Sequence, residues 1–436
     1  MRGKILLAAA AMLVATTAVL FGGVLGGSGA GRPSVPTQTA AEQLLTGFSP
    51  GDTASYAARL EGWVAANPRD AKALTLLGLA YQQRARETGD PSFYPRSGAA
   101  LSRAARLDPK NSLAVTGLAA LAASRHRFVE SLTLARRGQA LNPAAAAVYG
   151  IKGDALVELG RYREAFAAFD RMAALKPNLA SYSRVSYARE LLGDRRGAIA
   201  AMRRAVEAGT GTAEPAAWAL VQLGNLYFDA GRLAPAARSY REALSRFPGY
   251  VHAQAALGRV QAARGRYGAA IALYRRAVDV LPLPQYEGAL GDVLRLAGRK
   301  AEAKQTYAVV DAIQRLLRAN GVRTELETAL FDLDHGRRLV GALARARLAY
   351  RSRKSIEAED VLAWALYENG RCEDARHHSV RALRLGTLDA LKFFHRGMIE
   401  LCAGNRAEGL AFLGRALATN PHFSLLYVPV AKEALR

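Results

Sequence analysis

The chain is poor in the features that would announce an enzyme or a sheet protein. It has two cysteines, Cys372 and Cys402, too few for a disulfide framework. It contains no Gly-x-x-x-x-Gly-Lys-[Ser/Thr], no Gly-x-Ser-x-Gly and no His-Glu-x-x-His, which removes the readable signatures of nucleotide, esterase and zinc-protease chemistry. The densest ligand-type cluster is Cys372, His377, His378, His395 and Cys402. It lacks the i,i+4 pairs of a helical metal site, and the adjacent His377 and His378 point to different sides of a helix. Asp and Glu pairs are frequent, but nothing singles one out as a tuned acid and base. No catalysis, cofactor or metal is therefore expected. Strand-like alternation never runs far enough to argue for a sheet. Acidic residues are the minority charge, 37 against 60 Lys and Arg, giving a formal net charge of +23. Such an excess suits an acidic partner such as an anionic membrane or wall polymer; no nucleic acid is expected.

Proline supplies the main positive signal. Pro109, Pro143 and Pro177 are spaced by 143 − 109 = 34 and 177 − 143 = 34, and Pro248 and Pro282 by 282 − 248 = 34. Other residue types return at fixed offsets inside that period. Leu223-Gly224-Asn225-Leu226-Tyr227 leads to Gly231, Ala236, Tyr240 and Pro248; Leu257-Gly258 leads to Gly265, Ala270, Tyr274 and Pro282. An earlier unit reads Gly153, Gly160, Tyr162, Ala165, Phe169 and Pro177. A period near 34 is the mark of a stacked helix–turn–helix array. Turn glycines at 231, 265, 298, 370 and 404 suit helix C-termini. Small residues at 236, 270, 303 and 375 let helices approach, and each Pro ends its unit because it cannot continue the helix.

These residues resemble the tetratricopeptide repeat (TPR) family. The resemblance implies an all-α, right-handed superhelical solenoid of about ten units over residues 41–436, with a degenerate unit at Gly336 that lacks the terminal Pro. An insertion is expected around Glu87–Tyr94, a long helix running to Asn320-Gly321, and a closing helix in Phe423–Arg436. It also implies a concave groove lined by first helices. The family's groove offsets fall on Asp154, Glu158, Trp218, Asn225, Asp229, Arg259, Asp292, Arg295, Asp360, Trp364, Tyr367 and Glu368. Aromatic side chains there could instead pack between neighbouring helices. A family clamp for a C-terminal carboxylate is not expected, because Val221, Ala256 and Ala289 stand where its polar residues belong.

Residues 1–30 read as a signal peptide or membrane anchor, with Arg2 and Lys4 ahead of the apolar run from Ile5 to Leu25. That run is long enough to span a bilayer, which favours an uncleaved anchor over a cleaved signal. Residues 31–40 read as a flexible linker, and the array is expected outside the cytoplasm. Repeat alignment stacks Cys372 near Cys402, so a disulfide and a pair of buried thiols both fit. Arg103, Arg137, Arg171, Arg204, Arg276, Arg347, Arg381 and Arg415 share one repeat position; they form either a solvated ladder or an anion-binding stripe. The expected function is a non-catalytic scaffold that binds protein or peptide partners in its groove. The alternative is an electrostatic adaptor on anionic membrane or cell-wall polymer.

Overall fold

A computed structural model describes residues 53–209 and 213–436. Residues 1–52, expected to hold the targeting segment, the linker and a first short helix, lie outside them. Among the described residues every regular element is an α-helix, and no helix is long and apolar enough to cross a membrane.

Helix α1 (Thr53–Ala66) precedes ten helical pairs. They are α2 (Ala71–Thr88) with α3 (Phe93–Leu107), α4 (Ser112–Ser124) with α5 (Phe128–Leu141), α6 (Ala146–Glu158) with α7 (Tyr162–Leu175), and α8 (Leu179–Leu191) with α9 (Arg195–Ala208). Next come α10 (Ala213–Asp229) with α11 (Leu233–Arg246), α12 (Val251–Ala263) with α13 (Tyr267–Val280), and α14 (Pro284–Leu296) with α15 (Lys300–Ala319). The last pairs are α16 (Glu325–Asp334) with α17 (Leu339–Ser352), α18 (Ile356–Tyr367) with α19 (Cys372–Ala382), and α20 (Ala390–Cys402) with α21 (Arg406–Thr419); α22 (Tyr427–Ala434) closes the array. The expected insertion lengthens α2 to 18 residues, and α15 runs for 20.

Local chemistry sets these boundaries. Asp70, Asn111, Ser355 and Asp389 accept backbone N–H groups at the starts of α2, α4, α18 and α20, meeting donors that the first turn leaves free. Packing within a unit rests on the absence of a side chain. A Cβ on Gly224 would lie 2.2 Å from the Tyr240 ring, so α10 and α11 approach closely only because that position is glycine. Ala236, Ala270, Ala303 and Ala375 are at most 2% exposed. They pack at the helix crossings as their spacing predicts.

The array then does something the repeat pattern does not announce: it closes on itself. The turns following α4, α6 and α8 touch the unit exits following α15, α17 and α19. Arg323 N–H donates to Arg125 O at 3.1 Å, Lys354 N–H to Glu158 O at 3.0 Å, and Ile356 N–H to Tyr162 Oη at 2.7 Å. The Tyr162 bond joins residues 194 apart in sequence, nearly six repeats of about 34 residues. One superhelical turn thus takes nearly six units, and the next turn packs on it. Gly160 and Gly193 have φ of +73° and +75°. A Cβ on them would meet Lys354 O at 2.3 Å and Gly386 O at 2.5 Å. Here glycine serves both the left-handed turn and the close approach of the second layer.

Two further side chains of this seam, Arg353 and Thr387, occupy the terminal-Pro position. Regular units place Pro at 248 − 231 = 17 and 282 − 265 = 17 residues beyond the turn Gly. In the later units that position holds Arg353 (353 − 336 = 17) and Thr387 (387 − 370 = 17). Thr387 donates its hydroxyl to Leu191 O at 2.5 Å across the seam. Arg353 reaches into the interior.

Candidate functional site: a lumen between superhelical turns

Closure turns the expected open groove into a lumen. A cavity of about 400 Å³ lies inside it, walled by α6, α8, α10 and α12 from one turn and by α16 and α18 from the next. Asp154, Glu158, Trp218, Asn225, Asp229 and Arg259 all line it, so the structure brings these six expected groove residues together. Asp229 and Arg259 keep side-chain exposures of 50% and 41%, so the cavity is open to solvent there.

Its floor is fixed by buried ion pairs. Arg184 is 1% exposed and donates to Asp154 at 2.7 Å. Arg353 is 8% exposed and bridges two carboxylates, Glu158 at 2.5 Å and Glu327 at 2.9 Å. This bridge ties α6 of the first turn to α16 of the second. Burial pushes the Asp154 and Glu158 carboxyls up, against their arginines. Burial also opposes ionisation of Glu327, but His126 and Arg353 hold it below the usual carboxylate range. At the rim Arg259 meets Asp229 at 3.3 Å and stacks 3.7 Å from the Phe228 ring centroid. Asn225 accepts the Tyr240 hydroxyl at 2.9 Å, which holds its side chain against the helix pair.

Several lining residues were not readable from groove offsets. Arg184, Tyr187 and Glu190 belong to α8, whose unit carries Ser186 seven residues before its turn glycine (193 − 186 = 7), where others carry Gly (231 − 224 = 7). Ser186 meets its partner helix by donating to Ala198 O at 2.8 Å. Arg353 lies on no groove helix at all; the missing Pro of the Gly336 unit was its only signal.

Asp292 sits apart, in a second cavity of about 220 Å³ that shares Glu327 and Leu330 with the first. It accepts the Tyr307 hydroxyl at 2.7 Å and lies 2.8 Å from His335 Nε2. Arg295, on the same helix, is exposed and lines neither cavity.

The aromatic end of the expected groove is a core instead. Trp364 is 2% exposed, with ring centroids 4.3 Å from His395, 4.6 Å from Tyr367 and 5.6 Å from Tyr427. Asp360 is 5% exposed and lies 2.9 Å from His395 Nδ1. Helix α22 covers this face through Tyr427, so Trp364 and Asp360 meet no solvent channel, while Tyr367 and Glu368 stay half-buried at its edge. Cys372 and Cys402 are bonded, with Cα atoms 5.7 Å apart. No group of three metal-ligating side chains occurs among the described residues. All eight ladder arginines are exposed. Arg381 pairs with Glu359 at 2.9 Å, and Arg415 lies 4.0 Å over the Phe393 ring.

Comparison with known proteins finds the repeat. Residues 126–180 and 221–287 match the tetratricopeptide repeat family; no curated protein matches the chain. Among solved structures it is similar to YrrB, a TPR protein with an unusual peptide-binding site, at 21% identity over 42% of this chain and 93% of that one, with a TM-score of 0.29. A tetratricopeptide repeat protein from Parabacteroides merdae is similar at 14% identity over 60% of this chain and 93% of that one, with a TM-score of 0.42. The Cut9–Hcn1 hetero-tetramer of APC/C is similar at 16% identity over 84% of this chain and 76% of that chain, with a TM-score of 0.38. With the repeat glycines, alanines and tyrosines at their helix crossings, the chain carries tetratricopeptide repeats at residues 126–180 and 221–287 within an all-α solenoid.

Proposed function

We propose that the protein is a non-catalytic scaffold that holds a protein or peptide partner in its lumen, outside the cytoplasm. The observation that carries this reading is the 400 Å³ cavity on which first helices of six units converge. Asp154, Glu158 and Glu327 are locked in buried ion pairs with Arg184 and Arg353, while Asp229 and Arg259 remain accessible at the rim. A rigid floor with an accessible polar rim suits capture of an extended or helical segment, because little side-chain freedom is lost on binding. The basic start and apolar run of residues 1–30 support export and tethering, and a tether raises effective concentration near the membrane. The Cys372–Cys402 bond is consistent with an oxidising compartment.

Site-specific photo-crosslinking tests the reading. Crosslinkers at Gln222, which lines the cavity, should trap a discrete protein at low and high salt. Crosslinkers at Arg171 on the outer ladder should not. The reverse pattern would reject lumen binding. The exposure of all eight ladder arginines supports the second reading, an adaptor on anionic membrane or wall polymer. Binding of that kind should collapse as salt rises.

A further inference from the structure

The chain carries +23, yet its lumen has the opposite sign. Six carboxylates line the larger cavity against three guanidinium groups. The guanidiniums are already used: Arg184 by Asp154, Arg353 by Glu158 and Glu327, and Arg259 by Asp229. Glu190 and Glu357 are left over. The Glu190 carboxyl makes no hydrogen bond or ion pair among the described residues. Glu357 has only Lys392, at 3.7 Å, and that ammonium sits closer to Asp389, at 2.5 Å. One Glu357 carboxylate oxygen is sealed from solvent with no partner. The groups facing Glu190 are Asp229 from α10, Glu357 from α18, and Asp389 and Lys392 at the start of α20. Three of those four are acids.

A second, independent feature points to a ligand. Trp218 is 7% exposed and lines the same cavity. Its indole N–H has no hydrogen-bond partner among the described residues and is not sealed from solvent. An indole N–H held by a buried ring, with no protein acceptor and still reachable from the cavity, is placed to donate to a ligand carbonyl. Two carboxyl groups without a cation of their own, beside a free donor, match one kind of group: a cationic side chain on a peptide backbone, whose charge favours their ionised form.

Resting on the lumen-binding reading, we propose that the partner is a basic peptide segment. A Lys or Arg side chain is held by Glu190 and Glu357, and a backbone carbonyl accepts from Trp218. The exposed Arg ladder disfavours that segment along the outer face of the second helices.

The test uses the full-length protein and degenerate fluorescent nonapeptide pools whose fixed central residue is Lys, Ser or Glu. Fluorescence anisotropy is read at about 0.3 M salt, where the Debye length falls well below 10 Å and the exposed ladder is screened. The Lys pool should bind tightest, and Glu190→Gln/Glu357→Gln should weaken it at least tenfold. The same variant should leave the Ser pool within twofold. These isosteric changes remove buried repulsion, so the variant should melt no lower than the parent, which separates lost binding from lost folding. Lys-pool affinity unchanged in the variant, or a preference for the Glu pool, overturns the proposal. If the Ser pool binds and Trp218→Ala weakens it while the double Gln variant does not, lumen binding stands and its charge preference falls. If no pool binds, both fall.

Discussion

Arg353 bridges the two turns of the superhelix through its side chain, and its removal has a calculable result. Its guanidinium is 8% exposed and joins Glu158 in α6 to Glu327 in α16. Arg353→Met keeps the length and apolar contact of the side chain. It also leaves the seam bond from Lys354 N–H to Glu158 O, which is backbone only. What it removes is the charge between two largely buried carboxylates. Breaking a buried pair on one side costs about 3–5 kcal/mol, because the remaining charge stays desolvated. Glu158 is orphaned here and Glu327 keeps only His126, at 3.6 Å, so the upper part of that range is expected at neutral pH. The assay is urea unfolding followed by circular dichroism, with small-angle scattering of the folded protein. The unfolding midpoint should fall and the radius of gyration should rise as the turns separate. Glu158→Gln added to Arg353→Met should recover part of the loss. The sign with pH is fixed by Glu158: burial raises its folded value, so it protonates first as pH falls, and the variant's deficit should shrink in acid. A variant within about 0.5 kcal/mol of the parent, with unchanged scattering, would refute the inter-turn bridge, since surface changes fall in that range.

Three further outcomes are expected. Glu190 sits at about 8 against an ordinary 4.5, through burial first and then Asp229 and Asp389. Its contribution is fully present below pH 4.5 and is lost as pH rises to about 8, by up to about 1.4 kcal/mol per pH unit. Glu190→Gln should therefore melt like the parent at pH 4 and higher than it at pH 9; a difference independent of pH would contradict this. Gly224→Ala drives a Cβ into the Tyr240 ring and should destabilise the array by about 1–3 kcal/mol, read as a lower melting temperature; an unchanged melt would show that α10 and α11 do not cross there. Reduction of Cys372–Cys402 opens a link spanning 30 residues, worth about 3–4 kcal/mol in chain entropy. The urea midpoint should fall on adding reductant, and equal midpoints would argue against the bond.

Periodicity along the chain is enough to define the unit. A 34-residue beat of Pro, Gly, Ala and Tyr dictates helix pairs, their crossings and their stacking, because each of those residues acts on neighbours within one or two repeats. Tyr240 against Gly224 and Asn225 is legible for that reason. Six lumen residues were legible too, since a repeat offset fixes the face a side chain takes on its helix. Tertiary structure alone decided what lies nearly six units away. Superhelical pitch sums many small rotations between neighbours, and no single repeat encodes that sum. So the sequence could not say that Arg353 would bridge Glu158 to Glu327, or that α22 would bury Trp364 through Tyr427. The physical difference is range: periodicity writes local contacts into the chain, whereas closure brings together residues about 195 apart that share no pattern until the turns meet.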